Sequence, residues 1–161
     1  MKNFSKLLVL LITVAMFGCG PQPMTPEKIE KEKAAIQSVL ENYITSIETE
    51  NIDLYSKIFI HDVNMVNFGT GEKERIVGWD ALKKAIEDQN AALSGTKITQ
   101  SDITINLSRD GEIAWATSLW NFTSKMDTTM VQLPIRCSWI LEKTGNEWKF
   151  IHFHKSVGTA M

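Results

Sequence analysis

The chain is short of cysteine: two in 161 residues, Cys19 and Cys137, too few for a disulfide framework to carry the fold. Charge of one sign is missing as well, since 17 Lys and Arg stand against 19 Asp and Glu, a formal net charge of −2. No basic stripe offers a track for nucleic acid, and no acidic tail offers a disordered partner segment. No internal repeat or low-complexity tract is present. Phosphate loop, nucleophile elbow and dinucleotide fingerprint are all lacking. What remains is a length that allows one domain with a real core.

The single long apolar run lies at the start. Lys2 and Lys6 flank its beginning, Leu7 to Phe17 is almost purely apolar, and Gly18-Cys19 follows. The run is too short to span a bilayer as a mature helix and reads as the hydrophobic region of an export signal. Its end, Ala15-Met16-Phe17-Gly18-Cys19, resembles a bacterial lipobox. In that pattern a small residue precedes a cysteine that is lipidated and becomes the new N-terminus. Gly18 and Cys19 fit, Met16 is a common replacement for leucine, and Phe17 is bulkier than the pattern. The expectation is a lipoprotein signal over residues 1–19, with lipidated Cys19 holding the protein to a membrane of a bacterial cell envelope. The plainer alternative is a secretory signal with a chance cysteine. Each buried acyl methylene contributes about 0.8 kcal/mol, so a multiply acylated terminus is a firm anchor. Removal of Lys2 and Lys6 takes the formal charge from −2 to −4. Residues 20–26, with three prolines, read as an extended tether. Cys137 is then the only thiol, and its apolar surroundings predict an inert buried group rather than a nucleophile.

From residue 27 the pattern changes. Thr25-Pro26-Glu27 is a helix start, and Ile36, Leu40, Tyr43 and Ile47 recur as one helical stripe. A short helix follows over Asn51 to Phe59, a β-prone stretch over Asp62 to Phe68, and a solvated turn at Glu72–Arg75. A third helix is predicted over Asp80 to Leu93 with Leu82, Ile86 and Leu93 inward. Everything afterwards reads as strand: Ile98–Leu107, Ile113–Lys125, Met130–Glu142 and Trp148–Lys155, the last two joined by a hairpin turn at Gly145-Asn146. Helices first and antiparallel strands afterwards predict an α+β domain over residues 27–158 with helices on one sheet face.

This order of motifs resembles the SnoaL-like branch of the nuclear transport factor 2-like superfamily. The carriers are Tyr43…Glu50-Asn51-Ile52-Asp53, the Asp62-Val63 strand entry, and Gly78-x-x-Ala81-Leu82. They continue with Gly111-Glu112-Ile113-Ala114-Trp115 and the closing Gly145-x-x-Trp148-x-x-x-His152-x-His154-x-Ser156. The closing piece is also similar to the association domain of calcium/calmodulin-dependent kinases. The resemblance implies a cystatin-like roll, a cone in which a strongly curved, mostly antiparallel sheet wraps over three N-terminal helices. It also implies a homodimer through the sheet's outer face. Strict alternation on the last strand would put Ile151 and Phe153 on that face with Trp115 and Leu119, and a second subunit would cover them.

Pairing outward from the hairpin turn sets Trp139 opposite His152 and Cys137 opposite His154, unless a bulge exchanges Trp139 for Ser138 and brings Arg136 near. On the preceding strand Ala114, Ala116, Ser118, Trp120 and Phe122 share a parity, and the resemblance turns them inward. Tyr43, Asn67, Trp120, Trp139, His152 and His154 are therefore the candidate lining of a small-molecule pocket. Ketosteroid isomerases share the fold and use a helix tyrosine, whose place Tyr43 takes, with a strand carboxylate as base. That carboxylate falls on Asn67, and an amide accepts no proton near neutral pH. A His154–Tyr43 pair acting on a carbonyl compound is one alternative, a lyase or isomerase. Purely structural histidines, their ring N–H groups bonded to neighbouring strands or helices, are the other. Two histidines supply too few ligands for a metal, and no cofactor is implied. His61 reads as a surface or capping residue, and Trp79 as core packing or a residue at the cone's mouth. Three functions follow from the residues: a cone that binds a small apolar or amphipathic ligand, the carbonyl enzyme, and a non-catalytic interaction module with a filled cone.

Overall fold

A computed structural model describes residues 23–158. The signal sequence, Cys19 and residues 20–22 of the tether lie outside the described residues. Helix α1 (Pro26–Glu48) begins where Thr25 accepts the Lys28 N–H at 3.3 Å and Pro26 supplies a first-turn φ without losing a bond. Its stripe of Ile36, Leu40, Tyr43 and Ile47 is 3% exposed or less throughout, so the period of the sequence is the period of the core. Helix α2 (Ile52–Lys57) is capped by Asn51, whose side chain accepts the Leu54 N–H at 2.9 Å. Two short strands follow, β1 (Val66–Phe68) and β2 (Arg75–Val77), and then α3 (Trp79–Ala92). The β-prone stretch is thus shorter than its sequence suggests. Arg75, expected in a solvated turn, instead opens a strand against β1. Gly78 caps α3 at φ +82°, where a Cβ would stand 2.9 Å from the Val63 carbonyl oxygen.

Four long strands complete the chain: β3 (Ser94–Leu107), β4 (Ile113–Met126), β5 (Thr129–Thr144) and β6 (Glu147–Val157). They form one six-stranded sheet in the order β2-β1-β6-β5-β4-β3. Neighbours are antiparallel except β1 and β6, which pair in parallel. The fold is the cystatin-like α+β roll, with helices packed on one face of a mixed sheet that does not close into a barrel. On β4 the alternation is complete. Ala114, Ala116, Ser118, Trp120 and Phe122 are all buried, while Trp115 and Leu119 are each 46% exposed on the outer face.

The last strand departs from strict alternation. Leu141 pairs with Phe150 but Ile140 pairs with His152, so Ile151 is an extra residue and every side chain after it changes face. The bulge sits where the free edge of β6 changes partner. Up to Phe150 that edge bonds the corner after α2, through Phe150 N–H to the Ile58 carbonyl at 2.8 Å and Ile60 N–H to the Phe150 carbonyl at 3.0 Å. Beyond it β6 runs beside β1. Asn67 bridges the change: its Oδ1 accepts the Phe153 N–H at 2.8 Å, and the residue is wholly buried. A side-chain amide here stands in for a missing rung of the ladder.

Candidate functional site

The bulge decides which residues face the interior. Trp148 and Phe150 point under the helices as expected, and so do Phe153 and Lys155, whereas His152 and His154 turn the other way. The unbulged register is therefore corrected: Trp139 stands opposite Phe153, Cys137 opposite Lys155, Ser138 opposite His154 and Arg136 opposite Ser156. His154 is exposed and does not meet Tyr43. His152 is half-buried, and its Nδ1 lies 2.6 Å from the Val66 carbonyl oxygen. A carbonyl only accepts, so Nδ1 carries the proton and the ring ties β6 to β1. Phe153, expected on the outer face, is 2% exposed beneath the helices, and Ile151 is only half-buried at the bulge.

Tyr43 sits at the centre of the interior, fully buried. Its ring centroid is 5.4 Å from Tyr55 and Phe150, 5.7 Å from Trp120 and 6.3 Å from Phe153. Lys155 Nζ donates to Tyr43 Oη at 2.6 Å and lies 4.8 to 5.1 Å from the ring centroids of Tyr43, Trp120 and Phe153. An ammonium over three aromatic faces is held by their quadrupoles. Its neighbour Cys137 is buried, and burial pushes the thiol up to about 12 although the Lys155 charge pulls it down. Burial likewise holds the Tyr55 phenol well above its ordinary value.

Beside this group lies a cavity of about 190 Å³. Its walls come from α3 through Leu82, Ala85, Ile86 and Gln89, and from the sheet through Ile98, Trp120, Phe122, Ile135, Phe153 and Lys155. Ile47 at the end of α1 and Met126, Val131 and Leu133 of the β4–β5 hairpin close it further, and Gly69, Thr70 and Glu74 form a rim. Of the expected lining, Trp120 reaches the cavity directly, Tyr43 reaches it through Lys155, and Trp139 and Asn67 are buried nearby without lining it. His61 is exposed and stacked on Trp79 at 4.0 Å, so Trp79 packs at the α2 corner rather than at the cavity. Four buried polar groups have no partner among the described residues: Tyr55 Oη, Asn67 Nδ2, Trp120 Nε1 and Trp139 Nε1. Lys155 escaped the sequence reading because a strict period of two places it outside. The available signal was the three-residue step from Phe150 to Phe153, which only a bulge reconciles with one buried face.

At the far end of the same interior the chain supplies its own counter-charge. Glu32, 8% exposed, accepts from Lys143 and from Trp148 Nε1 at 2.8 Å. Burial pushes its carboxyl up, but the Lys143 and Trp148 donors outweigh burial and hold it below its ordinary value.

The SnoaL-like domain family matches residues 36–160, most of the chain. The chain belongs to that family. Solved structures agree on the scaffold. A candidate dehydratase of the nuclear transport factor 2-like family from Streptomyces avermitilis is 13% identical with a TM-score of 0.73, covering 81% of this chain and 99% of its own. A nuclear transport factor 2-like superfamily protein from Salmonella enterica is 17% identical with a TM-score of 0.73, covering 82% and 94%. A candidate calcium/calmodulin-dependent protein kinase II association domain from Xanthomonas campestris is 17% identical with a TM-score of 0.68, covering 87% and 96%. At such identities these structures establish the fold alone, and a fold of this breadth does not choose an activity. Comparison with curated proteins finds no match.

Proposed function

We propose that this SnoaL-like domain binds a small apolar or amphipathic molecule in the hollow between α3 and the sheet. The observation that carries the reading is the cavity itself, about 190 Å³ with largely apolar walls and one ammonium group. An apolar cavity of roughly 150 Å³ already accommodates a benzene ring. A cone filled by its own side chains, as an interaction module would have, has no such space. The carbonyl enzyme built on His154 and Tyr43 loses its base, because His154 faces outward. Thermal-shift screening against small apolar and amphipathic compounds tests the proposal. A ligand at a hundred times its dissociation constant adds about 2.7 kcal/mol of stability, several degrees in Tm. Ala85→Phe, which fills the hollow from α3, should abolish the shift. A library without a hit, or hits indifferent to Ala85→Phe, would remove the reading.

The setting we propose is a homodimer anchored to a bacterial envelope membrane through Cys19. Trp115 and Ile140 pair on the outer face at 46% and 37% exposure, with Leu119 exposed four residues along β4. Exposed apolar groups on one sheet face, with Thr117 and Ser138 between them, support a self-complementary contact. Sedimentation should give a dimer that Trp115→Glu dissociates. Among the described residues no helix is long and apolar enough to cross a membrane. Anchoring therefore rests on the lipobox-like motif: the protein should enter the detergent phase on phase separation, and Cys19→Ala should leave it in water.

A further inference from the structure

We infer that the molecule taken by the cavity is a small monocarboxylic acid, its carboxylate on Lys155 and its apolar body toward α3. The inference rests on the cavity-binding reading and adds the chemical class. Lys155 joins none of the ion pairs among the described residues. Of its three N–H donors, one goes to Tyr43 Oη, and aromatic faces surround the rest. Glu74, the one carboxylate at the cavity among the described residues, turns back on its own loop and accepts the Gly71 N–H at 3.0 Å. A half-buried ammonium without a counter-charge, at the wall of an apolar hollow, matches an organic anion.

The other polar groups narrow the class. Trp120 is 4% exposed and lines the cavity, and its indole N–H has no acceptor among the described residues. Lys155 Nζ lies 5.1 Å from the centroid of that same ring, so the ammonium stands over a cavity-lining aromatic face while the indole Nε1 itself is sealed in the core. A carboxylate accepts only and has two oxygens to share. A single positive charge favours a monoanion, and Glu74 at the rim disfavours a dianion such as a phosphate monoester. The volume limits the body to one ring or a short chain.

The test is isothermal titration of the purified protein with hexanoate and benzoate, beside hexanamide and benzamide, at neutral pH. The acids should bind at least about tenfold more tightly than the amides. Lys155→Met should lower the acids to the level of the amides, and Lys155→Arg should keep the preference. Amides that bind the wild-type protein as well as the acids do would overturn the inference and leave the cavity-binding reading standing. Neither class binding would overturn both. The wild-type comparison of acid with amide decides the matter even where a variant fails to fold.

Discussion

Lys143 on β5 and Lys155 on β6 each bring an ammonium against the aromatic interior, from opposite ends of the same strand pair. Lys143 lies 5.7 Å from the centroid of the Trp148 ring and bonds Glu32, which also takes the Trp148 indole N–H. Lys155 has rings and a phenol but no carboxylate among the described residues. The first lysine belongs to a closed set in which the ammonium and the indole N–H both meet the Glu32 carboxylate, and it joins α1 to the β5–β6 hairpin. The second sits at an open set beside a cavity. A charge brought under a sheet is structural when the chain supplies its partner, and points to a ligand when the chain does not.

The largest effect should come from breaking the closed set. Glu32→Ala leaves Lys143 and the Trp148 N–H without an acceptor and should cost about 2–4 kcal/mol in urea unfolding, with Lys143 free to swing partly into water. Glu32→Gln gives the pH signature. The folded-state carboxyl lies below its ordinary 4.5, so the stabilisation from ionised Glu32 is complete above that pH. It is lost as pH falls through the lower, folded-state value. The stability gap between wild type and Glu32→Gln should therefore be constant near neutrality and shrink below about pH 4.5. A gap that widens in acid would mean that Glu32 is not held by Lys143 and Trp148.

A middle effect is expected at Asn67, whose Oδ1 holds the rung that makes the two ends differ. Asn67→Leu leaves the Phe153 N–H buried and unpaired, a loss of about 1–3 kcal/mol, with the unpartnered Nδ2 removed at no cost in bonds. Hydrogen exchange should speed at the Phe153 amide more than at the Phe150 amide, which bonds backbone instead. Equal protection at both would show that the bulge stands without Asn67.

How far the sequence revealed all this depends on where local rules were sufficient. The helical stripe from Ile36 to Ile47 and the alternation of β4 were legible because period, burial and partner all agree there. The family resemblance gave the roll, and Tyr43 at its heart. The site was legible only in part, because its position depends on one extra residue. Ile151 flips the last strand, puts His154 in water and carries Lys155 inside. That flip comes from the change of edge partner between the Ile58–Ile60 corner and β1, a contact between distant segments that no local period encodes. Asn67 drew notice for the base it cannot be, while its role is to accept one backbone N–H.

The smallest stability effect, and the one that tests the comparison most closely, is expected for Lys155→Met in the ligand-free protein. The substitution removes contacts with three aromatic faces, each worth about 0.5–2 kcal/mol, and a bond to Tyr43 Oη. It also removes the cost of holding an ammonium half out of water without a counter-charge, and methionine keeps most of the apolar stem. The two sides nearly cancel, so unfolding free energy should move by less than about 1 kcal/mol. Equal losses for Lys155→Met and Glu32→Ala would make both lysines structural, and the open set would then be another way of packing a core. A near-silent Lys155→Met beside a costly Glu32→Ala would mean that the fold gains little from the Lys155 charge, and that its reason for being there lies in what it meets from outside.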